Sequence, residues 1–95
     1  MLDRRLGIVL WVDFRTERGK VVDYAVALLV VKAGRAETIR VYDGAHGYNE
    51  MHRYTDGGGK QSGVMFHSGS LGEGMRTAIG DVKRSHRGMI EGWGS

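Results

Sequence analysis

From residue 8 to residue 15 apolar and polar side chains alternate. Ile8, Leu10, Val12 and Phe14 fall on one side, Val9, Trp11, Asp13 and Arg15 on the other. A period of two sustained over eight residues predicts a strand. Thr16-Glu17-Arg18-Gly19 then predicts a turn. Residues 21–32 form a longer apolar run, rich in valine and interrupted by Asp23. Its β-branched content and flanking glycines favour a strand over a helix. Its length suits a central strand buried on both faces for part of its course. Ala33-Gly34-Arg35-Ala36 reverses the chain. Residues 38–43 predict a third strand, with Ile39 and Val41 on one face and Arg40 and Tyr42 on the other. After a loop over residues 44–48, residues 50–54 predict a fourth strand that shows Glu50, His52 and Tyr54 on one face. Asp56-Gly57-Gly58-Gly59-Lys60 is another turn, and residues 63–67 a short fifth strand. Strands joined by such short reversals pair antiparallel, as a meander.

Beyond residue 70 the period changes. Ser70-Leu71-Gly72-Glu73 fits a capping box, in which the serine hydroxyl accepts from a first-turn amide and the glutamate reaches back. Leu71, Met75, Ala78, Ile79, Val82, His86, Met89, Ile90 and Trp93 then recur at helical spacing. That stripe needs an apolar partner, and the sheet is the one available. Arg76, Lys83, Arg84 and Arg87 lie largely off it. Gly72, Gly74, Gly80 and Gly88 each weaken a helix by roughly 1 kcal/mol relative to alanine, so this helix depends on the sheet. The expected fold is α+β: an antiparallel β-meander of about five strands packed against one C-terminal α-helix. It makes a single domain over residues 1–95, with the sheet at about 7–67 and the helix at about 70–92.

Composition narrows the function classes. The chain carries fourteen Lys and Arg against eleven Asp and Glu, a formal net charge of +3. Ten of the fourteen are arginine, whose planar, permanently charged fork suits phosphate. This balance permits nucleic-acid binding without demanding it. With no cysteine there is no disulfide and no thiolate metal site, which suits a reducing, cytoplasmic setting. The apolar run of residues 7–13 is too short to span a membrane and has no small-residue cleavage site, so no targeting segment and no membrane partner are expected. Sixteen glycines and no proline are the punctuation of a chain with many tight reversals.

Candidate chemistry concentrates in residues 40–54, which hold two histidines (His46, His52), two arginines (Arg40, Arg53) and three tyrosines (Tyr42, Tyr48, Tyr54), with Asp43 and Glu50. Same-face residues on adjacent antiparallel strands lie about 5 Å apart. This is expected to bring Arg40, Tyr42, His52 and Tyr54 onto one face, with Asp43 and His46 at the loop end, although the loop leaves the register open. Three chemistries fit. In metal-free RNA cleavage a base removes the 2′-hydroxyl proton and an acid protonates the leaving oxygen, and histidine suits both roles. The expected catalytic set is His46 and His52, with Arg40 (or Arg53) stabilising charge on phosphate, and Asp43 and Tyr54 beside them. A metal site from Asp43, His46 and His52, with Glu50, is the second. No specific metal-binding spacing is present, and the leading expectation carries no cofactor. The third is RNA binding alone, with Tyr48 and Tyr54 stacking on bases. Arg53, Tyr48, Lys60, Arg84 and Arg87 are the candidate nucleic-acid contacts.

Each of these residues also has a purely structural explanation: tyrosine and histidine at sheet edges serve as half-buried packing groups with a satisfied polar tip. His67 precedes the helix cap, where it could assist an anion site, whereas His86 falls on the apolar stripe and reads as core or edge. The triple-glycine turn lacks the spacing of a phosphate-binding loop and reads as a hairpin.

The segment Arg40-Val41-Tyr42-Asp43-Gly44-Ala45-His46-Gly47, followed by His52-Arg53-Tyr54, resembles the TumE-like family of bacterial toxin–antitoxin toxins. Those are short chains with strands first, a tyrosine–aspartate–asparagine segment running through a glycine-containing loop to a histidine-rich strand, and a helix at the end. The likeness follows the order of elements across most of the chain and is residue-level over about fifteen positions. It implies a toxin that acts on RNA and is partnered by a helix-turn-helix antitoxin. Tyr42 and Asp43 match the family's strand end, and His52 its histidine strand. Gly44 stands where the family has asparagine. The family's histidine–x–histidine pair becomes His52-Arg53-Tyr54, so His46 or Tyr54 would have to replace the second histidine. The expected function is thus a ribonuclease-type toxin with an RNA substrate and a cognate antitoxin, and a homodimer through an exposed strand edge is a further expectation. The alternative is a non-catalytic regulatory domain that binds nucleic acid or protein.

Overall fold

The computed structural model describes residues 2–94. Its elements run β1 (Ile8–Glu17), β2 (Lys20–Lys32), β3 (Arg35–Asp43), β4 (Asn49–Arg53), β5 (Val64–His67) and α1 (Leu71–Gly94). The five strands form one sheet in the order β1-β2-β3-β4-β5, every pair antiparallel. The α+β meander expected from the patterning is the fold, and β1 and β5 are its edges.

The first two reversals are tighter than the sequence suggests. Strands β1 and β2 run on until only Arg18 and Gly19 connect them, and β2 and β3 until only Ala33 and Gly34 do. All four residues have positive φ, the conformation a two-residue hairpin needs to match the twist of its strands. Thr16 and Glu17, expected in a turn, are therefore in β1, and Arg35 and Ala36 open β3.

One face of the sheet carries the core. Tyr24, Val26, Leu28 and Val30 alternate along β2 and are almost fully buried, together with Ile8, Ile39, Tyr42 and Met51 from the other strands and Ala78 and Val82 from α1. Leu71, Met75, Ile79, Met89, Ile90 and Trp93 complete the helical side. Each aliphatic side chain buried here contributes roughly 1.5–3 kcal/mol, which offsets the glycines within α1. A break in register between Leu28 and Leu29 opposite β3 puts Ile39 into the core together with Tyr42. Strict alternation would have turned Ile39 away with Val41. His86, on the stripe, is half-buried and its Nδ1 lies 3.0 Å from the Val82 carbonyl, a local packing role.

The helix start is half the expected capping box. The Glu73 amide donates to Ser70 Oγ at 3.2 Å, but the Glu73 carboxylate lies 3.3 Å from His67 Nε2 instead of turning back to the cap. A buried polar residue secures this end. Asn49, 1% exposed, accepts from Tyr24 Oη at 2.7 Å and points its Nδ2 at the carbonyls of His67, Gly69 and Ser70 at 3.0–3.3 Å. One amide thereby ties β2, β4, the end of β5 and the start of α1 together. Gly74 faces it across the first turn of the helix, where a Cβ would collide with the Asn49 amide.

Candidate functional site

The register of β3 and β4 decides which side chains meet. Arg40 pairs with Arg53, Val41 with His52, Tyr42 with Met51 and Asp43 with Glu50. Paired residues share a face. Tyr42 and Met51 belong to the helix-covered core, so Arg40 and Arg53 lie on that same side, while Asp43, Glu50 and His52 lie on the open side. The expectation that Arg40, Tyr42 and His52 share a face is therefore corrected: the fourth strand is offset by one residue from the pairing it required, and a shift of one turns every side chain over. Tyr54 lines a cleft with Arg40 and Arg53.

The open face gathers a compact polar group. His52 Nε2 lies 2.7 Å from Glu50 Oε1 and 3.9 Å from Asp43 Oδ2, and His52 Nδ1 lies 3.0 Å from the Gln61 carbonyl. A carbonyl only accepts, so Nδ1 carries a proton. The contact between Nε2 and Glu50 then requires a second proton, shared between the ring and the carboxyl. The other Glu50 oxygen accepts from Tyr48 Oη at 2.8 Å. Asp43 Oδ1 accepts from the Ala45 amide at 3.2 Å, which shapes the β3–β4 loop. His46 stands exposed on that loop with its ring stacked near Tyr48, centroids 6.2 Å apart.

These contacts set the charge states. Glu50 is buried, 8% exposed. Its carboxyl is held below the usual range, first by the hydrogen bond from Tyr48, then by the hydrogen bond and charge of His52 and the charge of His46, against an opposing push from burial. The Tyr48 phenol is raised, first because it donates to Glu50 and then by the charge of that carboxylate. On the core side, burial raises the Tyr24 phenol strongly and the Asp43 charge adds to it, so Tyr24 remains a donor to Asn49.

One ligand atom from each of Asp43, Glu50 and His52 falls within 4.8 Å of the others. The compact set thus includes Glu50, which the sequence offers only as an auxiliary, and not His46. A second contribution also escapes sequence reasoning: Gly63 packs so closely that a Cβ there would run into the Glu50 side chain and His52 Cε1. The Glu50-x-His52 spacing was a readable signal, since residues two apart on a strand share a face. Gln61 and Gly63 left no such trace.

Of the basic candidates, Arg84 lies on the outer side of α1, paired with Asp81 at 2.7 Å. Arg87 and Lys60 are exposed, with no ion pair among the described residues. No helix is long and apolar enough to cross a membrane. Comparison with known proteins finds no matching family model, no matching curated protein and no matching solved structure.

Proposed function

We propose that this protein is a ribonuclease-type toxin whose chemistry centres on His52 and Glu50. The observation that carries the reading is the His52 ring, fixed at both nitrogens, with Nε2 against a carboxylate that Tyr48 also grips. In cleavage the 2′-hydroxyl oxygen attacks the adjacent phosphorus and the 5′-oxygen leaves, forming a 2′,3′-cyclic phosphate. One group must accept the 2′-hydroxyl proton and another must protonate the leaving oxygen. The His52–Glu50 unit already holds its extra proton and serves as the acid that protonates the leaving 5′-oxygen, and His46, on the neighbouring loop, serves as the base that takes the 2′-hydroxyl proton. Asp43 and Glu50 hold the imidazole in place, and protonated imidazole supplies the positive charge that Arg40, on the other side of the sheet, does not bring here. The likeness of residues 40–54 to the TumE-like toxins supports the same reading, with an antitoxin as natural partner. Expression should arrest bacterial growth, and purified protein should cleave total RNA. His52→Ala and Glu50→Gln should each abolish both effects with the circular dichroism spectrum unchanged. Intact RNA and normal growth with the wild-type chain refute the reading.

The clustering of Asp43, Glu50 and His52 within 4.8 Å favours a second version, in which the same three side chains hold a divalent cation. Two carboxylates and an imidazole are a donor set that such ions accept. Cleavage that stops on adding chelator and returns with a divalent metal selects this version; cleavage indifferent to chelator selects the metal-free one.

A further inference from the structure

The helix-covered side of the sheet holds a second polar site. Arg40 and Arg53 are cross-strand partners, and the last turns of α1 pass over them with Trp93, leaving a cleft of about 530 Å³ that Tyr54, Gln61 and Asp56 also line. This size lies within the roughly 300–1,000 Å³ of small-molecule sites. Two side-chain donors buried behind its wall have no acceptor among the described residues. Arg40 Nε and Trp93 Nε1 are the two buried side-chain polar atoms without a hydrogen-bond partner among the described residues. Buried donors in native folds are almost always matched, and leaving one unmatched carries its full desolvation penalty. Among the described residues the Arg40 guanidinium has a single long hydrogen-bond contact, 3.5 Å to Tyr42 Oη.

Charge points the same way. Neither arginine has a carboxylate within ion-pair distance among the described residues. Lys32 Nζ stands 5.7 Å over the Trp93 ring, outside the lining. The exposed Asp56 is the single acidic residue in the lining. A ligand for this cleft must bring acceptors and negative charge. A phosphate group does both, and the guanidinium fork matches its geometry. We propose that the Arg40–Arg53–Trp93 cleft binds the phosphate of a small phosphate ester of mononucleotide size. The Arg40 and Arg53 guanidinium groups donate to its oxygens, and Tyr54 lies beside the rest of the ligand. The site is on the opposite side of the sheet from His52 and does not rest on any activity there.

The chain has two tryptophans, so Trp11→Phe leaves Trp93 as the sole indole reporter. Titration of this variant with adenosine monophosphate should shift its emission saturably, with a dissociation constant of about 1 mM or tighter. Orthophosphate should compete, and adenosine should do neither. Arg53→Gln, at an exposed position, should weaken binding by about tenfold or more, as should Arg40→Met, with the circular dichroism spectrum unchanged. His46→Ala, on the exposed loop and outside the cleft lining, should leave binding unaltered, which separates this site from the one on the open face. The proposal is overturned by the absence of a saturable response to either phosphate compound, by adenosine binding as well as its monophosphate, by wild-type affinity in Arg53→Gln, or by loss of binding in His46→Ala.

Discussion

Asn49→Ala is the sharpest test of how the site is held. The side chain is 1% exposed and takes part in four hydrogen-bond contacts. Its two amide protons serve three carbonyls, so at most three bonds are well formed at once. At about 0.5–1.5 kcal/mol net each, their loss costs roughly 1.5–4.5 kcal/mol. The substitution also strands the Tyr24 hydroxyl, 2% exposed, whose unmatched burial moves the cost to the upper half of that range, about 3–4 kcal/mol. A domain of this size has about 5–14 kcal/mol in total, so the variant should still fold in part but melt roughly 12–30 °C lower. Urea unfolding followed by circular dichroism would measure the loss. Tyr24→Phe removes the opposite partner for about 1–2 kcal/mol. Because the two side chains share a bond, their double mutant should cost less than the sum of the singles, by at least about 0.5 kcal/mol. A loss below about 1 kcal/mol for Asn49→Ala, or strict additivity with Tyr24→Phe, would refute the view that this amide fastens the strand bearing Glu50 and His52 to the helix start.

Other expectations follow from the same geometry. Because the Tyr48 hydrogen bond is the largest influence lowering Glu50, Tyr48→Phe should raise the Glu50 carboxyl pKa, read by carboxyl-carbon NMR; an unmoved or lowered value contradicts it. A folded-state pKa below the ordinary value stabilises the fold fully above that value, 4.5, and the contribution disappears as pH falls through the lower folded-state pKa. Acid unfolding of Tyr48→Phe should accordingly begin at higher pH than in the wild type. Gly63→Ala should displace the Glu50–His52 pair and reduce RNA cleavage while a folded sheet persists, with undisturbed His52 ring resonances as the contrary result. Arg84→Ala, which breaks only the exposed pair with Asp81, should change stability by no more than about 0.5 kcal/mol in a melting curve.

The strands and helix were legible because their signals are periodic. Alternation marks β1 and β3, the 3.6-residue stripe from Leu71 to Trp93 marks α1, and the glycines at positions 19, 34, 44 and 57–59 mark the reversals. Which side of the sheet each candidate occupies was not legible, because it depends on register. Asp43 and Glu50 pair directly across the loop, a fact set by how residues 44–48 close, and no periodic signal encodes it. The breaks in register at Leu28/Leu29 and at Asn49/Glu50 have the same character. They admit Ile39 and Phe66 to the helix-covered side, where Phe66 meets Tyr42 edge-on at 5.0 Å. Residue types therefore gathered the candidate groups in residues 40–54, but only the pairing sorted them into an imidazole–carboxylate group on one side and an arginine cleft on the other.

The meander precedes the helix that covers it, and this ordering bears on the chain's birth. Each strand pairs with its sequence neighbour, so the sheet can assemble stepwise as synthesis proceeds at about 5–20 residues per second. Tyr24, Val26, Leu28 and Val30 nevertheless stay bare until Ala78 and Val82 arrive. A nascent polypeptide stalled before residue 71 would present a wet, sticky ribbon with two unprotected edges, the kind of surface that holdase chaperones recognise and proteases clear. Because the arginine cleft also needs Trp93 from the last turns of α1, any ligand it takes up would report that translation has passed residue 93 and that the ribbon has been sealed.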